Sequence, residues 1–401
     1  MQHILYCADG TWNGPGDPGA QDDIDGSSSP TGEGAACSTN VWKLFLNLSG
    51  DITPETAVTP REQEKVWSGA GAAPAQLAKY MHGVGDSSNL VIKALGGAFG
   101  AGVIARIVRG YTYISRNYRP GDAVHIVGFS RGAYTARALA GMIAAVGLLD
   151  PGQYDSADKF HAYVLAYGAW VKARGVVFGG GGSVARWLTG LFHSAELFAS
   201  RMVVSRSDFI APVPIQSVAV WDTVGSMGIP LYINEQRRDL FSFVDTNLSP
   251  RVQQGFHAMA LDERRRDFPV TRWTPREDVE EVWFSGCHSD VGGGYPPGQT
   301  GLSDLALYWM MEKLKGQGVS YRTPLAAAPD LTHYAQDFHK PWETPPFNID
   351  PQPRSPTAAD EFDPTVQKRW EECTPYRACW PADSIVAQVM QNPGAAGTMN
   401  A

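Results

Sequence analysis

The segment Gly128-Phe129-Ser130-Arg131-Gly132 offers the most direct chemistry in this chain. A serine hydroxyl is a weak nucleophile until a tight turn projects it toward a base. Glycines two residues to either side relieve such a turn where a Cβ would strike the neighbouring strand and helix. The pentapeptide pattern recurs by chance, so its meaning rests on context. Here it follows the apolar run 123–127 and precedes Ala133-Tyr134-Thr135-Ala136-Arg137-Ala138-Leu139, small and apolar residues at helical spacing. Strand, serine turn and helix make a nucleophile elbow, and the chemistry of an elbow is acyl transfer through serine.

Such a serine needs a histidine base and a carboxylate that holds the base in one tautomer, and α/β-hydrolases supply them in the order serine, acid, histidine. His288 follows the apolar run 281–285 and leads into Ser289-Asp290-Val291-Gly292-Gly293-Gly294-Tyr295, a turn suited to a closely packed site. His257 is the runner-up, but it sits in residues 256–265, whose spacing reads as helical, and a structural role buttressing the sheet fits it better. For the acid, Asp222 closes the run 215–221 and is the first choice. Asp262 competes from a charge-rich Asp-Glu-Arg-Arg-Arg run, where it is expected to pair with arginine, and Asp290 is expected to bond its own glycine turn and support the site.

A tetrahedral oxyanion requires two backbone donors. The N–H of Arg131, directly after the nucleophile, is one; Gly10 or Thr11, after the first strand, is the expected second, with Asp9 orienting that loop. An aspartate ending a first strand also ligates Mg²⁺ in phosphatases, which makes a metal-dependent phosphoesterase on Asp9, Asp290 and His257 the rival reading. The serine reading needs no cofactor and no metal.

Four short apolar runs, 3–8, 123–129, 215–221 and 281–285, read as buried parallel strands, and residues 94–118, 133–146 and 303–313 as helices between them. The alternation predicts an α/β fold, an α/β-hydrolase-like and mostly parallel sheet flanked by helices with loop and lid insertions. Asp9, Ser130, Asp222 and His288 all fall at strand C-termini, where such sheets gather their functional residues. Residues 14–40 read as a long loop; the acids Asp22, Asp23 and Asp25 are out of register for an EF-hand. Residues 176–210 carry a four-glycine run and then Trp187, Leu191, Phe192 and Phe198 at helical spacing, which fits a lid that meets lipid as well as it fits a core helix. Residues 1–320 are expected to form the catalytic domain, and 321–401 a proline-rich C-terminal extension packed on it.

With 401 residues and 43 % hydrophobic content, the chain can bury the core of one large elaborated domain. A formal net charge of -8 argues against a nucleic-acid partner. Cys7, Cys37, Cys287, Cys373 and Cys379 are too scattered for a disulfide framework, and free thiols are expected. The N-terminal residues show no signal peptide, and no run of about 18 apolar residues predicts a transmembrane helix. Any membrane contact is expected to be peripheral, and the protein cytoplasmic in the producing cell.

Cys7-Ala8-Asp9-Gly10-Thr11-Trp12-Asn13, Thr39-Asn40-Val41, Gly83-Val84-Gly85, the elbow through Ala133, Trp221-Asp222-Thr223-Val224-Gly225, residues 257–265 and residues 288–295 together resemble an uncharacterised α/β-hydrolase family that includes the class 1 type VI secretion lipase effectors. The resemblance spans roughly residues 3–315. It implies an α/β-hydrolase fold, Ser-Asp-His chemistry on Ser130, Asp222 and His288, and a phospholipase of A type cleaving glycerophospholipid acyl esters. It also implies delivery by a secretion apparatus, with a component of that apparatus or an immunity protein as partner. The chain departs from effector members in showing no large membrane-anchoring module after residue 315. A non-catalytic interaction protein that binds a partner through its apolar helix is the remaining alternative.

Overall fold

Strand formation follows burial. His3–Ala8 (β1), Ala123–Phe129 (β5) and Ile215–Trp221 (β6) are buried almost end to end. Residues without a wet face belong in a parallel sheet covered by helices on both sides. The computed structural model describes residues 1–10, 37–57, 61–69, 75–83, 98–153, 158–177, 208–224, 231–233, 236–238, 246–266, 268–345, 347–348 and 350–391.

Six further strands complete a nine-stranded sheet: Asp51–Ile52 (β2), Glu62–Trp67 (β3), Gln76–Met81 (β4), Val252–Ala260 (β7), Val279–Phe284 (β8) and Glu361–Phe362 (β9). Their order is β9-β8-β7-β6-β5-β1-β4-β3-β2. All neighbours are parallel except β3 against β4 and β2 against β3.

Alternate residues of β1 sort the helices onto two faces. Ile4, Tyr6 and Ala8 share a core with Ala98–Asn117 (α2), Arg131–Val146 (α3) and Lys159–Val177 (α4). Leu5 and Cys7 share the opposite core with Asn40–Asn47 (α1) and Gly301–Gly316 (α6). A short helix, His288–Gly292 (α5), follows β8. Beyond the sheet, Pro364–Glu372 (α7), Thr374–Ala378 (α8) and Ile385–Gln391 (α9) pack Val366, Trp370, Tyr376 and Val386 against Met259, Leu261 and Trp283.

Three of the four expected strands, β1, β5 and β6, form with the expected bounds, the fourth, expected over 281–285, runs over Val279–Phe284, and the α/β-hydrolase-like class holds. One element is corrected: the 256–265 stretch that reads as helical is the end of β7 and the turn after it. With β6 and β8 on either side, β7 has six consecutive buried residues at its C-terminal half, so no two-residue alternation marks it as a strand. Most of the 14–40 loop and of the 176–210 segment, with Trp187, Leu191, Phe192 and Phe198, lies outside the described residues. Among the described residues, no helix is long and apolar enough to cross a membrane.

Candidate active site

The elbow is built by sterics. Ser130 has φ 55 and ψ −123, between the last residue of β5 and the first of α3. A non-glycine residue held there costs about 1–3 kcal/mol, so the surroundings must enforce it. A Cβ on Gly128 would lie 2.4 Å from the Gly132 carbonyl oxygen, and one on Gly132 would lie 2.2 Å from that of Ala8. Only glycines let strand and helix approach so closely. The Ser130 N–H donates to the Trp221 carbonyl at 3.1 Å, which ties the elbow to the end of β6.

Asp222 is the next residue of that strand end and also has a positive φ, 35. Of three non-glycine residues with positive φ among the described residues, two are Ser130 and Asp222, which concentrates backbone strain at this point. The Asp222 carboxylate is fully buried and faces His288, Oδ2 to Nδ1, at 2.5 Å. Its Oδ1 accepts the Ala260 N–H at 2.9 Å. Arg354 grips both oxygens, Nη1 on Oδ1 and Nη2 on Oδ2. Burial alone would push the Asp222 carboxyl up, but the Arg354 guanidinium and His288 outweigh it and hold it below the usual carboxylate range.

His288 opens α5, and its backbone N–H donates to Glu263 Oε2 at 3.1 Å. Glu263 is itself buried in a bidentate pair with Arg265. The imidazole lies against the rings of Phe129, at 4.6 Å, and Phe268, at 5.1 Å. Burial pulls its pKa below 6.5 against the opposing influence of Asp222. Phe129 precedes Ser130, and a Cβ on Gly292 would lie 1.9 Å from the Phe129 ring, so α5 rests directly on the elbow. Asp222 and His288 are thus paired beside the serine, while Ser130 Oγ makes no hydrogen bond to His288.

Beneath the elbow, Asp9 accepts from Tyr80 Oη at 2.6 Å, from Thr39 Oγ1 at 2.8 Å and from the Gly10 N–H at 2.7 Å. Burial pushes its carboxyl up to about 7 against those three bonds. Because the Gly10 N–H is spent on Asp9, it does not face a substrate here; Thr11 lies outside the described residues. Arg131 is the first residue of α3, where a backbone N–H has no intrahelical acceptor.

Two of the competing carboxylates have other work. Asp262 does not pair with arginine as expected: its Oδ2 accepts the Gly286 N–H at 2.6 Å and the Tyr376 hydroxyl at 3.2 Å. Its position just past β7, rather than on a helix, turns it toward the backbone of the next strand end. Asp290 accepts the N–H of Cys287, capping its own turn, and also the N–H and ring Nδ1 of His339. That second Asp–His pair leaves no ring nitrogen open, since His339 Nε2 meets Gln299 at 2.9 Å. His257 is likewise committed, Nε2 accepting the Thr223 N–H and Nδ1 facing Glu281. Asp9, Asp290 and His257 form no ligand group, and no three His, Cys, Asp or Glu side chains are placed to hold a metal among the described residues.

A family model described as T6SS, Phospholipase effector Tle1-like, catalytic domain, matches residues 2–313. The chain belongs to this Tle1-like family. A curated relative, the uncharacterised protein YEL023C of Saccharomyces cerevisiae, is 29% identical over 317 residues, covering 54% of this chain and 46% of its own. The Tle1-like chain therefore spans about half the length of that relative. Among solved structures, an uncharacterised protein from Pseudomonas aeruginosa matches with 17% identity and TM-score 0.42, covering 98% of this chain and 61% of that one. The Tle1 effector bound to the VgrG spike of the type VI secretion system matches with 17% identity and TM-score 0.36, over 74% and 52% of the two chains.

Sequence reasoning missed Arg354, Glu263, Arg265 and Phe268, which the fold gathers around Asp222 and His288. Arg354 stands between Pro353 and Ser355 in a stretch rich in proline, and a cation in a surface-like segment gives no signal of an inward course.

Proposed function

We propose that this chain is a serine esterase of lipase type, a phospholipase A acting on glycerophospholipid acyl esters. Ser130 attacks the ester carbonyl, His288 takes its proton and later returns it to the leaving alcohol, and Asp222 holds the imidazole. The observation that carries this reading is the 2.5 Å contact between Asp222 Oδ2 and His288 Nδ1 beside a strained serine. With Nδ1–H directed at the carboxylate, the lone pair falls on Nε2, the nitrogen a base must present. The Arg131 N–H at the start of α3 supplies one oxyanion donor, and the loop after Asp9, at Thr11, supplies the other. Asp9 and Asp290 support the site by fixing the loops around it. Membership of a phospholipase effector family supports lipid as the substrate and delivery by a secretion apparatus with a component of that apparatus as partner; the reading extends to peripheral contact with membrane, an origin in the producing cell's cytoplasm and an immunity protein as a further partner.

The test is labelling with a fluorophosphonate followed by mass mapping, on the wild type and Ser130→Ala, then hydrolysis of phosphatidylglycerol and phosphatidylethanolamine vesicles. Label on Ser130, lost with fatty-acid release in the variant, is expected. Folded wild-type protein that takes no label, or a variant that still hydrolyses the vesicles, sinks the proposal.

A further inference from the structure

Residues 350–355 run along the surface with every residue but Arg354 exposed. Arg354 alone turns inward, its side chain 6% exposed. Its two Nη atoms make four hydrogen bonds: Nη1 to Asp222 Oδ1 and, at 2.7 Å, to the Ala260 carbonyl; Nη2 to Asp222 Oδ2 at 2.9 Å and to the Phe268 carbonyl at 2.8 Å. The two carbonyls belong to the end of β7 and to the residue whose ring abuts His288. The strap is pinned beside this point, the Gln352 N–H donating to the Arg264 carbonyl at 2.7 Å. The family match ends at residue 313, so this guanidinium reaches the site from outside the matched span.

We propose that Arg354 is a positioning residue for Asp222, fixing which oxygen faces His288, so that the C-terminal segment completes the active site. The proposal rests on the serine–histidine–aspartate reading above. Without Arg354, the side-chain oxygens of Asp222 keep one backbone donor, the Ala260 N–H on Oδ1, and the oxygen that meets His288 has no second restraint. A forked guanidinium restrains both oxygens at once, which an ammonium does not. The same charge has a second effect. A cation on the far side of Asp222 offsets the pull of the carboxylate on the imidazolium, so His288 stays neutral, and able to accept a proton, to lower pH.

The other charged groups around His288 leave this effect visible. Glu263, from the turn after β7, faces its backbone but is paired with Arg265. Asp290, on its own helix, is tied to His339, and Cys287 is a buried thiol pushed far up by burial. On the elbow side Phe129 covers the ring, and Arg131, the residue after Ser130, is the charged group of the elbow itself. A cavity of about 310 Å³, lined by Arg265, Phe268, Pro353 and Arg354 among others, adjoins the guanidinium and gives small solutes access to it.

The experiment measures p-nitrophenyl butyrate hydrolysis across pH for full-length wild type, Arg354→Ala, Arg354→Lys and Ser130→Ala. Arg354→Ala should lose about 10- to 100-fold in kcat at the pH plateau, with KM little changed, and its acid limb should move up by about 1 pH unit. Added methylguanidinium should restore part of the rate. Arg354→Lys keeps the charge, so it should keep the limb of the wild type while losing several-fold in kcat. Should the alanine variant not fold, the lysine variant decides: wild-type kcat in it overturns the proposal. An alanine variant with an unmoved limb and no rescue, as a mere structural brace would give, overturns it too. If Ser130→Ala hydrolyses the ester at the wild-type rate, the triad reading itself falls; if that variant is dead and the Arg354 variants match wild type, only the role of Arg354 falls.

Discussion

Lowering the pH from 7.5 to 5 should remove about 2 kcal/mol of folding stability through one side chain, His125. It sits in the middle of the sheet on β5, fully buried. Its Nδ1 meets Ser217 Oγ at 2.8 Å and its Nε2 meets His3 Nδ1 at 3.0 Å, with the two imidazoles stacked 5.3 Å apart. Burial first, and the neighbouring His3 second, pull its pKa from 6.5 to about 3. The unfolded chain therefore binds a proton that the folded chain refuses anywhere between those values. Stability is complete above the unfolded pKa and falls as pH drops through it, by about 1.4 kcal/mol per pH unit once well below. At pH 5 the loss is about 1.5 such units, and it depends on the unfolded pKa rather than on how far below 4 the folded one lies. The assay is urea unfolding followed by tryptophan fluorescence at the two pH values, for wild type and His125→Gln. His257 and His288, also buried with lowered pKa values, contribute to both proteins, so the difference in slope reports His125 together with its effect on His3. Equal pH slopes in the two proteins, within about 0.5 kcal/mol, would refute the reasoning. The result also bears on enzymology, because an acid limb assigned to His288 has to be measured per folded molecule.

Gly132→Ala places a methyl 2.2 Å from the Ala8 carbonyl oxygen and 2.5 Å from that of Asp9, so strand and helix must part. Ester hydrolysis should fall by about 100-fold or more and stability by at least about 2 kcal/mol, read by kinetics and urea unfolding; a variant with wild-type turnover would show that the close approach is dispensable. Asp222→Asn removes the charge that both Arg354 and His288 face. Turnover should drop by about 10³–10⁴-fold through loss of the correct imidazole tautomer, and the orphaned buried guanidinium should cost about 3–5 kcal/mol; a loss below tenfold in kcat would remove Asp222 from the mechanism.

The centre of the sheet was legible because β1, β5 and β6 are short apolar runs closed by a turn residue, and the helices after them keep their periodicity. β7 was not, because Gln253, Gln254 and His257 interrupt its apolar run, and Phe256, Met259 and Ala260 happen to fall at helical steps. β3 and β4 were missed for a different reason: Glu62, Glu64 and Lys79 sit on them as an ion-pair group and Lys65 donates to the Leu46 carbonyl, so the segment reads as surface. At the candidate site, Ser130, Asp222 and His288 could be proposed from the sequence because each stands at a strand end. Arg354 could not, since its partner is 132 residues away and only the fold brings them together.

The sheet also has carefully finished margins. A row of unpaired backbone groups on an outer strand invites another chain to add itself, and long outer strands are where soluble sheets begin to aggregate. Both outer strands here are two residues long. On one side, the part of β3 that β2 leaves open is closed at Glu64 by the Thr53 N–H, at 2.8 Å, and by Thr56 Oγ1, at 2.9 Å. On the other, Pro364 follows β9 almost at once and begins a helix, so pairing cannot run on. Six parallel strands, which close only after distant parts of the chain have met, thus lie between edges too short to recruit a neighbour.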